Sequence, residues 1–199
     1  INTASAIIKA GFKRGIFIER GRTISITPRP MANQLIQEWL ESADEKRLLN
    51  VINSIVASPY GKRLLHEFRD RFRFMGESEE ASSMIDTILK PGCVFERFDV
   101  INTDEAAMLL ESFAEVNPIA VVQMLQRVIN TKKHEELLAL KDGRRYLVWT
   151  LDKLCFRADT FNQSAAMMLR LANAENEHIS NNATGQFIGL FPVRLPATE

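Results

Sequence analysis

The histidines of this sequence could bind a metal ion or transfer protons. There are three of them, and each adjoins a glutamate: His66, His134 and His178. Imidazole and carboxylate groups hold zinc only when several of them converge on one point. These histidines lie far apart along the chain and form no H-E-x-x-H motif. The sequence therefore predicts separate surface histidines on helices and no metal site.

The two cysteines, Cys93 and Cys155, are far apart and lie among apolar residues. A disulfide scaffold needs more cysteines, and the C-x-x-C pair of a zinc site is absent. Free cysteine is among the most buried residue types. We therefore expect two buried thiols in a reducing compartment, which agrees with a cytoplasmic protein.

Common catalytic motifs are absent from the sequence. It contains no G-x-x-x-x-G-K-[ST] phosphate loop, no G-x-G-x-x-G turn and no G-x-S-x-G nucleophile elbow. Neighbouring glutamates at Glu79-Glu80 and Glu135-Glu136 would point apart on a helix, which favours solvated faces over a catalytic pair. Three basic residues, Lys141, Arg144 and Arg145, could pair with Glu135 or Glu136 instead of an external acid. The sequence thus predicts no catalytic residue and no cofactor.

A polar segment lies between apolar helices near the end of the chain, at residues 175–186 (ENEHISNNATGQ). Loops on a rigid scaffold often carry binding residues, so we take four of its side chains as candidate contacts: Glu175, Asn176, Asn181 and Asn182. The alternative is a turn followed by a helix cap. Asn182 and Thr184 would then supply cap oxygens, and Gly185 would relieve the backbone.

The first 30 residues are basic. They contain six basic residues against the single acidic residue Glu19, a net charge of plus five, although the whole chain has a formal net charge of zero. Three arginines are the candidate contacts of this region: Arg20, Arg22 and Arg29. They could meet nucleic-acid phosphates, or they could meet an acidic neighbour within the same parent protein.

The same region carries a β-hairpin signal. Residues 16–20 (IFIER) and 23–27 (TISIT) are rich in β-branched and aromatic residues, and Gly21 lies in the gap between them. A short helix is expected before this hairpin, over residues 3–13, and no other part of the chain reads convincingly as strand.

The rest of the chain follows helical periodicity. Capping boxes are predicted at Ser42–Glu45 and Thr160–Gln163, and Pro118 suits the first turn of a helix after the cap residue Asn117. Residues 93–101 (CVFERFDVI) are predicted to form a loop or a short extended segment. Helices are predicted over residues 30–41, 42–56, 58–74, 78–89, 104–116, 118–129, 133–140, 143–156, 160–173 and 182–190.

A repeat is indicated by a shift of 42 residues. This shift places four apolar residues of the helix pair 104–129 on four apolar residues further along: Leu109, Phe113, Ile119 and Leu125 on Leu151, Cys155, Phe161 and Met167. Two helices per repeat of about 40 residues are typical of HEAT-like and armadillo-like proteins. An irregular helical bundle is the alternative. The predicted domains are a partial winged-helix element at 1–30 and a helical-repeat domain at 31–199.

Residues 11–40 resemble the winged-helix exit of STAND-type NTPases, which are bacterial signalling and defence proteins. The resemblance lies in Gly11, the hydrophobic hairpin of residues 16–26, the turn of residues 27–32 (TPRPMA) and Trp39. Residues 146–187 are similar to the helical-repeat regions of such proteins. The resemblance implies a parent protein in which an ATPase core precedes this segment. The ATPase residues of the family have no counterpart in this sequence.

These features favour a non-catalytic segment. The chain of 199 residues is 46% hydrophobic and 25% charged, which is ordinary for a globular protein, and it contains no apolar run of about 20 residues that could cross a membrane. It begins without methionine, and we expect it to be part of a longer cytoplasmic protein. The predicted function is regulation or sensing through protein–protein or interdomain contacts. The alternative is nucleic-acid binding by the basic hairpin.

Overall fold

The computed structural model is mainly helical. It describes residues 2–21, 23–27, 29–42, 45–58, 61–72, 75, 78–176 and 183–191. By its internal contacts the chain divides into two compact units, Ile1–Ala43 and Asp44–Glu199. The second helix thus falls in the first unit, whereas the predicted boundary after residue 30 would assign it to the second.

The first unit contains two helices and a hairpin: α1 (Asn2–Lys13), β1 (Phe17–Arg20), β2 (Thr23–Ile26) and α2 (Arg29–Ser42). The strands are antiparallel, with Phe17 opposite Ile26, so the predicted hairpin is confirmed. Gly11 of α1 lies against the Phe17 ring, where a Cβ atom would come closer than 3.0 Å. This close approach packs α1 onto β1.

The second unit begins with three helices, α3 (Glu45–Ala57), α4 (Gly61–Phe72) and α5 (Glu79–Ile88). Ser78 caps α5 by accepting a hydrogen bond from the Ala81 N–H. The predicted cap at Ser42 is wrong, because Ser42 ends α2 and its hydroxyl donates to the carbonyl of Trp39.

Residues 93–101 are helical, which corrects the predicted loop or extended segment. A 3-10 helix (Val94–Glu96) is followed by α6 (Phe98–Ile101), and three apolar side chains of the segment are buried: Phe95, Val100 and Ile101. These turns are too short for a periodic pattern to distinguish from loop.

Two helix pairs form the centre of the second unit. The first pair is α7 (Asp104–Val116) and α8 (Pro118–Ile129), and the second is α10 (Arg144–Cys155) and α11 (Phe161–Asn173). The short helix α9 (His134–Leu138) links them, and α12 (Ala183–Gly189) follows. Helix α7 packs between α4 and α10, while α8 packs against α11. The largest buried side chains, such as Phe113 and Leu125, lie between these helices.

The residues that precede α8 and α11, Asn117 and Thr160, make different hydrogen bonds. Asn117 caps α8 by accepting from the Ala120 N–H, as predicted, and its amide donates to Ser82 of α5. Thr160 precedes α11 but caps nothing, because its hydroxyl donates to the carbonyl of Leu154. The predicted Thr160–Gln163 capping box is therefore wrong.

Candidate functional site

The basic candidates of the first unit flank the hairpin. Arg20 is the last residue of β1, and Arg29 is the first residue of α2. Their side chains and the whole of Arg22 lie outside the described part of the structure. Their contacts therefore stay predictions.

The polar candidates follow α11. Glu175 and Asn176 are described, whereas Asn181 and Asn182 lie outside the described residues. The Glu175 carboxylate caps α12, because it accepts hydrogen bonds from the Ala183 N–H, the Thr184 N–H (3.1 Å) and the Thr184 hydroxyl (2.7 Å). A helix cap is thus present, and a glutamate eight residues upstream supplies it.

Glu175 is also the partner of a buried arginine. The Arg144 side chain is 3% exposed, and its Nη2 lies 3.3 Å from the Glu175 Oε1. The same guanidinium donates to the carbonyl of Leu137 in α9 (2.9 Å) and to that of Leu171 in α11 (2.8 Å). One ion pair therefore joins the ends of α9, α10, α11 and α12.

This placement corrects the predicted pairing of Arg144. Arg144 does not pair with Glu135 or Glu136, since it is buried against Glu175 instead. Glu136 accepts from Lys132 (3.1 Å) and from the Lys133 N–H (2.9 Å). A buried charge needs a partner with satisfied hydrogen bonds, and among the described residues Glu175 is that partner for Arg144.

The surroundings of Glu175 and Arg144 shift the pKa of each group. Partial burial alone would raise the pKa of the Glu175 carboxyl, but the hydrogen bonds from Thr184, Ala183 and Arg144 hold that pKa below its usual value. Burial lowers the pKa of Arg144 despite the favourable effect of Glu175. Both groups stay charged at neutral pH, and every oxygen of the carboxylate is used. The pair is therefore built to hold helices together.

Two further arginines clamp neighbouring layers. Arg127 of α8 donates from Nη2 to the carbonyl of Leu89 (2.5 Å) and from Nε to Glu96 (2.5 Å). Arg170 of α11 donates from Nη2 to the carbonyl of Lys132 (2.5 Å). Each arginine is the tenth residue of its helix, and each reaches back 38 residues. We call these two contacts the arginine clamps.

The clamps relate the two helix pairs by a shift that differs from the predicted 42. A shift of 43 places Arg127 on Arg170 and Leu89 on Lys132. It also places four buried residues of α8 on four buried residues of α11: Val121, Met124, Leu125 and Val128 on Ser164, Met167, Met168 and Leu171. Between α7 and α10, a shift of 41 aligns buried residues with buried residues: Leu110 with Leu151 and Phe113 with Leu154. The corner before α11 (residues 156–160) is longer than the corner before α8 (residue 117), so the two helices of a pair follow different shifts and the predicted 42 falls between them.

The cysteines are poor nucleophiles. Burial raises the pKa of the Cys155 thiol to about 11, and it also raises that of Cys93. A thiol reacts as its thiolate, which is scarce at neutral pH for both residues. Within the described segments, no three His, Cys, Asp or Glu side chains lie close enough together to hold a metal ion.

An open groove of about 480 Å³ runs between α3 and the start of α4. Val51, Ile55 and Leu64 form its apolar part, Asn50 and Ser54 its polar part, and Lys46 and Arg47 lie at one end. Its lining contains no carboxylate, histidine or thiol. Its chemistry suits contact with a partner surface and not acid–base catalysis.

Comparisons with protein-family models, with curated proteins and with solved structures found no match to this chain. Every helix in the described residues is too short or too polar to span a lipid bilayer.

Proposed function

We propose that this chain is a non-catalytic regulatory or sensor segment of a larger multidomain protein of the NTPase type. Its second unit would serve as a HEAT-like scaffold of stacked two-helix layers. That scaffold would act through protein–protein or interdomain contacts, and a partner bound to one layer would shift its neighbours as rigid bodies.

The pair of arginine clamps is the observation that carries this proposal. Arg127 and Arg170 occupy the same helix position and reach the same distance back along the chain. In an irregular bundle each interhelical contact is independent, so two such contacts in register favour repeated units. Stacked repeats bury their faces against neighbours and offer an extended outer surface, which suits recognition.

The buried polar groups support the same conclusion. The hydrogen bonds of Arg144 and Glu175 go to groups at helix ends, and the raised pKa values of the two thiols keep them protonated. The buried ion pair of the second unit therefore stabilises the packing of its helices and is not available for catalysis. The NTPase parent is supported by the resemblance of residues 11–40 together with the hairpin found at Phe17–Ile26.

The natural reading frame that encodes this chain tests the proposal. We expect a G-x-x-x-x-G-K-[ST] motif upstream of Ile1, followed by a basic segment leading into α1. A frame that lacks a nucleotide-binding motif upstream would overturn the NTPase parent. As a second test, the upstream ATPase region should co-purify with this chain when the two are expressed as separate polypeptides.

Nucleic-acid binding by the first unit is the second candidate. The hairpin forms in the segment with a net charge of plus five, which favours contact with phosphates. A gel shift at about 50 mM salt tests it, with Arg20→Ala and Arg22→Ala combined. The matched control changes two exposed lysines of the second unit, Lys133 and Lys141, to alanine. Loss of the gel shift in the arginine variant alone would support nucleic-acid binding. The absence of a gel shift with the unmodified chain would exclude it.

A further inference from the structure

The outward face of α10 carries a stacked aromatic cluster. The Arg145 guanidinium lies 5.3 Å from the centre of the Tyr146 ring and 5.6 Å from that of the Trp149 ring. The two rings meet edge to face, with centres 5.5 Å apart. Trp149 is nevertheless 39% exposed, and Phe156 at the end of the helix is 77% exposed. Tryptophan, tyrosine and arginine are the side chains most enriched where proteins bind one another.

The neighbouring face of α7 is acidic. At the positions equivalent to Arg145, Tyr146 and Phe156, helix α7 has Asp104, Glu105 and Glu115. The two faces form one continuous surface, since the Lys153 Nζ of α10 lies 2.6 Å from Glu111 and 3.1 Å from Glu115. We call it the α7–α10 face.

Acidic groups outnumber basic groups on the α7–α10 face. Its five carboxylates are Asp104, Glu105, Glu111, Glu115 and Asp152, and its two basic groups are Arg145 and Lys153. The net charge is therefore minus three, and Lys153 is already occupied by two of the carboxylates. The surface thus combines exposed aromatic side chains with an excess of negative charge.

The opposite face of the same layers differs. The exposed positions of α8 and α11, with the cap residue Asn130, hold no charged residue: Ile119, Gln123, Asn130, Asn162, Ala166, Leu169 and Asn173. Ile119 and Leu169 are exposed there, but no aromatic residue accompanies them. This face provides a matched control, because it has similar apolar exposure without the negative charge.

We infer that the α7–α10 face binds a basic amphipathic helix of a partner protein. The inference deepens the proposed function, since it names the partner class of the helical scaffold. Trp149 and Phe156 are seven residues apart, about 10.5 Å along the helix axis, and this spacing matches apolar residues at i and i+7 of a docked helix. Lysine or arginine on the flank of that helix would meet the carboxylates of α7. The prestacked Arg145 cluster loses little conformational entropy on binding.

Two synthetic helical peptides test the inference on the full chain. Both have leucine at the same amphipathic positions, and their polar positions carry lysine in one and glutamate in the other. Binding is measured by fluorescence anisotropy of labelled peptide at low and at high salt. We expect the lysine peptide to bind about tenfold more tightly than the glutamate peptide, with a preference that shrinks as salt screens the charges.

Three variants locate the binding surface. Phe156→Ser should weaken the lysine peptide about tenfold or more, as loss of an interface hot spot does. Glu111→Gln with Glu115→Gln should reduce the preference for lysine over glutamate. Ile119→Ser on the opposite face should leave both affinities unchanged. Thermal melting by circular dichroism confirms that each variant is folded.

Equal binding of both peptides would overturn the inference, as would no binding or an equal effect of Ile119→Ser and Phe156→Ser. These outcomes are separable from a failure of the proposed function. The reading frame and the co-purification decide whether the chain serves an NTPase parent, whichever peptide result is obtained.

Discussion

The layer formed by α7 and α8 and the layer formed by α10 and α11 have similar, mostly apolar inner residues and different outer ones. Leu110 and Leu151 are both buried, as are Met124 and Met167, and Arg127 and Arg170 make equivalent clamps. The outward face of α7 is acidic, whereas that of α10 is aromatic. Packing against the neighbouring helices constrains the inner positions, because buried positions favour apolar side chains. The outer positions are free of that requirement, so they are where the two layers can acquire different partners.

The largest difference between the layers is the buried ion pair, which only the second has. Arg144→Met would leave Glu175 without its cationic partner, and we expect the free energy of unfolding to fall by about 3–5 kcal/mol. Urea denaturation measures this change. The control is Arg97→Met, which removes an exposed pair with Asp99. Equal midpoints for the two variants would show that the ion pair adds nothing to the second layer.

The clamps test the equivalence of the layers directly. Arg127→Met and Arg170→Met each remove a charged hydrogen bond to a backbone carbonyl, and each should lower the free energy of unfolding by about 2 kcal/mol. Similar losses would support a true repeat. A loss confined to Arg127, which also pairs with Glu96, would mean that the carboxylate and not the repeated carbonyl contact matters. Arg157→Met, which removes an exposed pair with Asp159, is the matched control.

A smaller effect is expected where one layer has a hydroxyl and the other a methyl group. Ser164 of α11 is fully buried, and its hydroxyl has no hydrogen-bond partner among the described residues. The equivalent residue of α8 is Val121, which is also fully buried. Ser164→Ala should raise the free energy of unfolding by about 1 kcal/mol, since an unsatisfied polar group is removed. The reciprocal Val121→Ser should lower it, and a loss of stability in Ser164→Ala would show that the Ser164 hydroxyl has a hydrogen-bond partner.

The smallest expected effect is local and depends on pH. The hydrogen bonds that lower the pKa of Glu175 stabilise the charged carboxylate. Their contribution is therefore complete above the usual glutamate pKa and is lost as the pH falls through the lowered value. The protection of the Ala183 and Thr184 amides, measured as the exchange rate relative to an unfolded chain at the same pH, should fall in acid before the core of α10 and α11 opens. In Glu175→Gln these two amides should exchange faster already at neutral pH, with no further acid step of this origin.

Periodicity predicted most of this fold. The predicted helices over residues 104–116 and 118–129 coincide with α7 and α8, and the hairpin and the Asn117 cap are confirmed. These features depend on neighbours within a few residues, which a single sequence displays. The prediction for residues 93–101 was wrong because the two helices there have only three and four residues, which is too few to show a repeating apolar pattern.

The ion pair and the clamps could not be predicted in the same way. Arg144 and Glu175 are 31 residues apart, and nothing in the local sequence distinguishes a buried arginine from the exposed Lys141 beside it. Arg127 and Arg170 did carry a signal, namely a shift of 43 that aligns two arginines. The apolar residues alone pointed to 42, because the corner before α11 is longer than the corner before α8.

The clamps also have a consequence for how the chain folds. Each one joins residues 38 positions apart, so it forms between segments that lie close together along the chain. The entropy lost in closing such loops is modest, and topologies dominated by near-neighbour contacts fold quickly. During synthesis, the second helix of each pair emerges after the segment that its arginine contacts. The acceptor carbonyl would therefore already be in place. The order of translation is then also the order of assembly.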